Sequence, residues 1–308
     1  MKVFWGSILL WLLALPAKPQ GCSSAGFCTM GALKSDQKFS ERKVLKLNYV
    51  ELSHLLATSG LGEQIQASTL DISVGIGRRQ ALQMRLPYVQ VQGPLARTEG
   101  LGDVYLTYTY ELLQKRNYKV ALSLGTKLPR FSTQLSTAEG LPLPMYYSPS
   151  LGTYDVIAGI SWLSKRWLLG LGYQQALPGQ SLDNAFDPAA WAGSDLSAYD
   201  YSVGLRRGAD VMLRVEHHIR SKRFNFFVGV LPVYRVSPDE VQDTQSNTWQ
   251  AAEGSTGLAL TGLVGGGYRL NVHSSIKLLY GQRLLQRDYN GDGLMKAQLA
   301  SIAYEWRF

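Results

Sequence analysis

Two cysteines and four histidines in 308 residues leave little material for thiol or imidazole chemistry. After the first fifteen positions no apolar run reaches the roughly 20 residues that a membrane-crossing helix requires. Cys22 and Cys28 stand close together in a Ser/Gly-rich leader, where they can close a small disulfide loop after export. Two thiols are too few for a metal centre, so no metal and no cofactor are expected. The net charge of +8 also lacks the form that nucleic acid demands, because no basic block with interleaved aromatics occurs. The basic residues come instead as pairs at expected turns, Arg78 and Arg79, Lys165 and Arg166, Lys222 and Arg223, with Arg206 and Arg207 as the exception. Such pairs suit a membrane interface carrying anionic head groups, so lipid and lipopolysaccharide are the expected partners and nucleic acid is not.

The one long apolar run is at the start. Lys2 precedes Val3 to Leu15, and Pro16, Ala17, Pro19 and Gly21 follow, which reads as a secretory signal peptide over 1–21. Leu15 and Ala17 meet the small-residue rule for cleavage loosely, and a cut after Gly21 follows Pro19 and Gln20, so the cleavage point stays open. Lipidation at Cys22 is the alternative, although Pro19 occupies a position where a bulky aliphatic residue is usual. The polar stretch 22–42 is expected to be a periplasmic leader or a plug, and 43–308 a single domain.

What fills that domain is alternation. Ala300, Ile302, Tyr304, Trp306 and Phe308 alternate with Ser301, Ala303, Glu305 and Arg307, as on a strand with lipid on one side and an aqueous lumen on the other. Tyr118, Val120, Leu122 and Leu124 oppose Lys119, Ser123 and Lys127, while Phe224, Phe226, Val228 and Val230 form another apolar row. Period-two segments fall near 43–56, 66–78, 80–92, 102–114, 117–129, 152–164, 166–177, 199–221, 223–236, 256–271, 273–287 and 295–308. The stretch 199–221 also reads as two strands broken at Gly208, but that gives an odd count. Connections alternate between short turns and longer segments, the longer ones near 57–65, 93–101, 130–151, 178–198, 237–255 and 288–294. The expected fold is therefore an all-β, transmembrane antiparallel barrel of about twelve strands, with both termini periplasmic, in the outer membrane of a Gram-negative bacterium. Insertion of such a barrel implies the barrel-assembly machinery as a partner.

An Arg or Lys at the lipid midplane costs about 2–4 kcal/mol, so the ionic rows must face inward. By parity the lumen receives Lys46, Arg85, Lys119, Lys127, Arg214, Arg235, Arg269, Lys277, Arg283 and Arg307, opposed by Asp71, Glu111, Asp155, Glu216 and Glu305. Arg85, Glu111, Lys127, Arg214, Glu216, Arg235, Lys277, Arg283 and Glu305 are the candidate lumen and selectivity residues, with salt bridges within the barrel as the plainer alternative. Asp288 to Gly293 matches the first half of a calcium-binding helical-hairpin loop, but Leu299 stands where its bidentate Glu belongs, and Asn290-Gly291 and Asp292-Gly293 are ordinary hairpin signals. A lipid hydrolase is a weaker reading: His217 and His218 face opposite sides of one strand, and His273-Ser274 falls at a periplasmic turn.

Several short motifs resemble the outer-membrane transporter-like family named for the MetA pathway of phenol degradation. They are Leu86-Pro87-Tyr88, Gly100-Leu101-Gly102-Asp103, Gly125-Thr126-Lys127-Leu128-Pro129 and Ser150-Leu151-Gly152-Thr153-Tyr154-Asp155. The resemblance covers roughly 66–177 and implies a channel or transporter for small molecules, hydrophobic or aromatic ones among them. Arg130-Phe131 replaces the family's frequent Thr-Gly, and the cysteine leader is not part of its pattern. Leu141-Pro142-Leu143-Pro144-Met145-Tyr146-Tyr147 is apolar enough to capture a solute or to pack over the barrel top. A non-conducting barrel that binds partners through its outer loops is the alternative function, and no enzymatic activity is expected.

Overall fold

The computed structural model describes residues 46–130, 132–191, 196–293 and 296–308. The signal segment and the leader with Cys22 and Cys28 lie outside the described residues. The strands in chain order are β1 (Lys46–Ser59), β2 (Gln64–Gly75), β3 (Gln80–Gln92), β4 (Arg97–Leu101), β5 (Val104–Gln114), β6 (Tyr118–Leu128), β7 (Asp155–Ser164), β8 (Trp167–Ala176), β9 (Asp210–Arg220), β10 (Phe224–Arg235), β11 (Glu240–Gln242), β12 (Trp249–Ala251), β13 (Gly257–Arg269), β14 (Ser274–Leu285) and β15 (Lys296–Arg307). Thirteen of them form one antiparallel sheet, and β2–β3 and β1–β15 pairing closes it on itself. β4 and β5 lie end to end beside β3 and make one stave, so the ring has twelve staves. β11 and β12 form a separate small hairpin between β10 and β13.

The alternation seen in the sequence sorts the side chains as expected. Leu52, Leu124, Leu171, Val228, Leu278 and Ile302 are exposed on the outer wall, while Thr107, Thr109, Ser123, Ser161 and Thr261 are buried inside. The outer wall is thus a lipid-facing belt and the lumen is polar, the pattern of a bilayer-spanning barrel. Among the described residues no helix is long and apolar enough to cross a membrane. Toward the short-turn end the belt carries Trp162 against Tyr118, Trp167 against His217 and Phe224 against Tyr268, with centroids 6.4, 4.7 and 4.7 Å apart. These rings mark one membrane interface.

Two features differ from the pattern. The segment 199–221 is strand only over β9, because Tyr199 to Ala209 fold back into the outer loop, where Arg206 bridges to Glu240. The expected outer connections at 57–65 and 93–101 are tight turns, closed by Ser59 N–H to Glu63 O and Gly93 N–H to Ala96 O. In both cases the strand extends further than alternation alone marks, since backbone pairing continues through polar residues such as Gln64, Arg97 and Thr98.

Candidate lumen site and its lid

The motifs quoted from the sequence converge at the outer end of the lumen. Gly102 sits where β4 gives way to β5, and a Cβ there would meet Pro87 and the Pro149 carbonyl at 3.0 Å. That close approach lets Asp103 turn inward to accept from Leu151 N at 3.0 Å and from the Ser150 hydroxyl. Lys127, at the end of β6, lies 3.6 Å from Asp103 and 3.0 Å from Asp155, and donates to Thr153 Oγ1 at 3.0 Å. Each member is buried.

A larger ionic cluster adjoins it. Arg235, at the end of β10, donates through Nε to Asp210 at 2.9 Å, through Nη1 to Asp239 at 2.7 Å and through Nη2 to Asp292 at 2.9 Å. Arg207 reaches Asp155, Asp210 and Asp292 at 3.3, 3.2 and 3.3 Å. Burial pushes the Asp292 carboxyl up, but Arg235, then Arg207 and Arg287, hold it well below the usual carboxylate range. The half-match to a calcium loop at Asp288 to Gly293 therefore places its Asp292 carboxylate among guanidinium groups. Asp239 and Asp292 come from loops and Asp155, Asp210 and Arg235 from strand ends, so the cluster pins the outer loops to the wall.

Two residues below Asp103, Asp155 and Asp210 along their strands, Tyr105, Ile157 and Met212 join Phe227, Leu231 and Leu263 in an apolar layer within the barrel. Gly265 leaves room there for the Phe227 ring, which a Cβ would strike. Toward the short-turn end the remaining candidate residues pair. Lys277 bridges Glu51 at 2.7 Å and Glu305 at 2.5 Å, Glu305 also accepts from Arg307, and Lys119 lies 3.8 Å from Glu111. Arg214 donates through Nε to Glu216 at 2.6 Å, and Glu216 also meets His218 at 3.0 Å. His217 faces outward beside Trp167, as adjacent residues on a strand must. Arg269 is exposed at the short-turn end of β13 and Lys46 is half-buried at the start of β1.

Above the ionic cluster the loop between β6 and β7 crosses the mouth. Leu143, Met145, Tyr146 and Tyr147 are at most 3% exposed. Leu143, Tyr146 and Tyr147 pack with Ala57, Ile65, Val91 and Leu299 of the wall and with Phe186, Leu196 and Tyr199 of the next loop. Polar ties hold this lid: Tyr147 Oη accepts from Leu95 N at 3.0 Å, Asn184 Nδ2 donates to the Leu143 carbonyl at 3.0 Å, and Trp191 Nε1 donates to the Pro142 carbonyl at 3.1 Å. The Tyr199 hydroxyl bonds the buried Glu63 in the β1–β2 turn. Of the two roles open to Leu141–Tyr147, packing over the barrel top is the one seen here.

Beneath the lid, against β1, β2, β3 and β15, lies a cavity of about 100 Å³ bordered by Arg85, Lys296, Leu55, Val89, Tyr105 and Tyr146 among others. Arg85 Nη1 and all three guanidinium nitrogens of Arg283 are buried without a hydrogen-bond partner among the described residues. Alternation does not reveal Lys296: Ile302 and its even-numbered neighbours face lipid, but a bulge at Ala297, between the partners of Thr58 and Ser59, shifts the register and turns Lys296 inward. Arg207, Asp239 and Glu63 are likewise outside the parity rows, because they sit on loops that only tertiary packing brings into the mouth.

No protein-family model matches the chain, and comparison with curated proteins finds no match. Solved structures do resemble it. An outer-membrane channel from Pseudomonas putida F1 superposes with a TM-score of 0.58 at 12% identity, covering 89% of this chain and 99% of that one. The NanC porin gives a TM-score of 0.47 at 14% identity, over 85% of this chain and 100% of that chain. At such identity the likeness to the Pseudomonas channel is one of fold.

Proposed function

We propose that this protein is an outer-membrane channel for small molecules whose outer mouth is closed by the 141–147 lid. The observation that carries the reading is the combination of a closed barrel with an apolar outer belt, a polar lumen and a loop seated in its mouth. The paired residues Glu111, Lys127, Arg214, Glu216, Arg235, Lys277 and Glu305 hold the wall and loops in place. Arg85, through Nη1, and Arg283, through its whole guanidinium, lack hydrogen-bond partners among the described residues and are the candidate residues left to act on a solute. Resemblance to the MetA-pathway family supports an apolar or aromatic solute, and the cavity beneath the lid offers apolar groups, Leu55, Ile65 and Val89, alongside charged ones, Arg85 and Lys296. Export, outer-membrane residence, contact with lipopolysaccharide and insertion by the assembly machinery follow from the same reading.

The test is solute entry into liposomes holding the refolded full chain. Swelling in small neutral and anionic solutes, absent from protein-free vesicles, is expected. The tightly packed lid favours one other reading, a non-conducting barrel that engages partners through its outer loops. Absence of swelling, both in the wild type and after removal of the lid, would decide for it.

A further inference from the structure

Three buried cations of the lumen, Arg85, Arg283 and Lys296, make no ion pair among the described residues, although carboxylates are abundant nearby. The nearby acids are already engaged. Asp71, opposite Arg85 in the β2–β3 register, accepts from Gln83 and Tyr49 instead. Asp103 is held by Lys127 and Leu151 N, and Asp292 by Arg235 and Arg207. Lys296 is 6% exposed, borders the cavity and has Arg85 as the neighbouring charge that acts on it. A buried ammonium beside a guanidinium is unfavourable unless an anion joins them. The rest of the lining includes the apolar side chains of Leu55, Ile65, Val89 and Val91, and also Asp103 and Asp292, whose carboxylates are taken up by Lys127, Arg235 and Arg207.

We propose that this cavity is a binding site for a small organic carboxylate, its anionic end between Arg85 and Lys296 and its apolar body against Leu55, Ile65 and Tyr146. The space suits one small organic anion or several waters. An inorganic anion would satisfy the cations and leave the apolar wall uncovered; a neutral aromatic would do the reverse. Tyr146 belongs to the lid, so a bound carboxylate contacts both the wall and the closing element. The site deepens the channel reading and rests on it for its role, but its occupancy can be measured separately.

The experiment is thermal unfolding of the refolded full chain in detergent with benzoate, benzyl alcohol or inorganic phosphate, in the wild type and in K296M and R85Q. Benzoate is expected to raise the midpoint of the wild type by several degrees, with benzyl alcohol and phosphate at the same concentration giving much less. Each variant is expected to weaken benzoate affinity about tenfold or more, the loss of one charge-assisted contact. K296M without ligand should unfold at a higher temperature than the wild type, because an uncompensated buried charge is removed. If K296M fails to reach the heat-modifiable folded form, R85Q carries the comparison. Equal shifts with phosphate and benzoate, or an undiminished benzoate shift in both variants, would overturn the site. Benzoate stabilisation without solute flux in liposomes, from both the wild type and the form lacking the lid, would overturn the channel reading alone, and flux without benzoate stabilisation would overturn the site alone.

Discussion

Arg235 sends its nitrogens to carboxylates from β9, from the loop after β10 and from the loop before β15, and is 1% exposed while doing so. Its planar fork serves several acceptors at once, which a lysine ammonium on a flexible stem cannot reproduce. R235M is expected to lower stability by about 3–5 kcal/mol, the usual result of removing one partner from a buried ionic cluster. Urea unfolding in detergent reads this directly, and a change below about 1 kcal/mol would show that the cluster is not a fastening. Of the two loop carboxylates on Arg235, burial raises Asp239 while the guanidinium groups hold Asp292 low, so loosening in acid belongs to Asp292. Its folded value lies below its unfolded one, so its contribution is complete above the ordinary carboxylate range and is lost only as pH falls through the depressed value. The outer loops are expected to resist protease equally from neutral pH down to about pH 5 and to loosen only in stronger acid. Loosening between those limits would contradict the assignment. Arg235 and Lys127 could be placed inside the barrel from alternation, but Arg235's partner Asp239 could not, since loop residues carry no period.

At the scale of elements, the lid and the turn between β3 and β4 fit together through a missing side chain. A Cβ on Gly93 would strike the Tyr147 hydroxyl and lie 2.8 Å from Glu63 Cγ. Tyr147 is fully buried and tied to Leu95, so it has little room to yield. G93A is therefore expected to destabilise the closed mouth by about 1–3 kcal/mol without unfolding the barrel, the ordinary cost of overpacking. Faster protease cleavage within 129–154, with unchanged heat-modifiable migration, is the expected signature; unchanged cleavage would mean that the lid does not lean on this turn. The strands were legible because each carries one apolar and one polar face. In β15 the alternation holds from Phe308 back to Gln298 and breaks at Ala297, where a one-residue bulge reverses parity and turns Lys296 inward. The loop 199–209 was read as strand for a related reason: Tyr199, Tyr201 and Leu205 alternate with polar residues, yet they pack into the mouth and do not pair in the wall.

For the whole molecule, the bilayer and the lumen impose opposite demands on neighbouring residues. Leu169, on the outer wall of β8, is 40% exposed to what is lipid in the membrane, while Leu168 beside it is completely buried. L171R, on the same outer wall at the middle of β8, is expected to cost about 2–4 kcal/mol of folding into lipid vesicles. Folding yield unaffected by that charge would place the belt elsewhere. The twelve-stave ring was readable from rhythm alone, because short turns at Arg79, Lys115, Lys165, Lys222 and Val272 alternate with the other ends of the strands. The closed mouth was not readable, since it depends on contacts between loops far apart in the chain, such as Tyr146 with Tyr199 at 5.5 Å. The most direct test of a lidded channel is single-channel conductance in a planar bilayer, comparing the full chain with a variant whose residues 141–147 are replaced by a Gly/Ser linker. Rare, brief steps from the wild type and long-lived, larger ones from the linker variant are predicted. Equal silence from both, with the barrels correctly folded, would contradict the account.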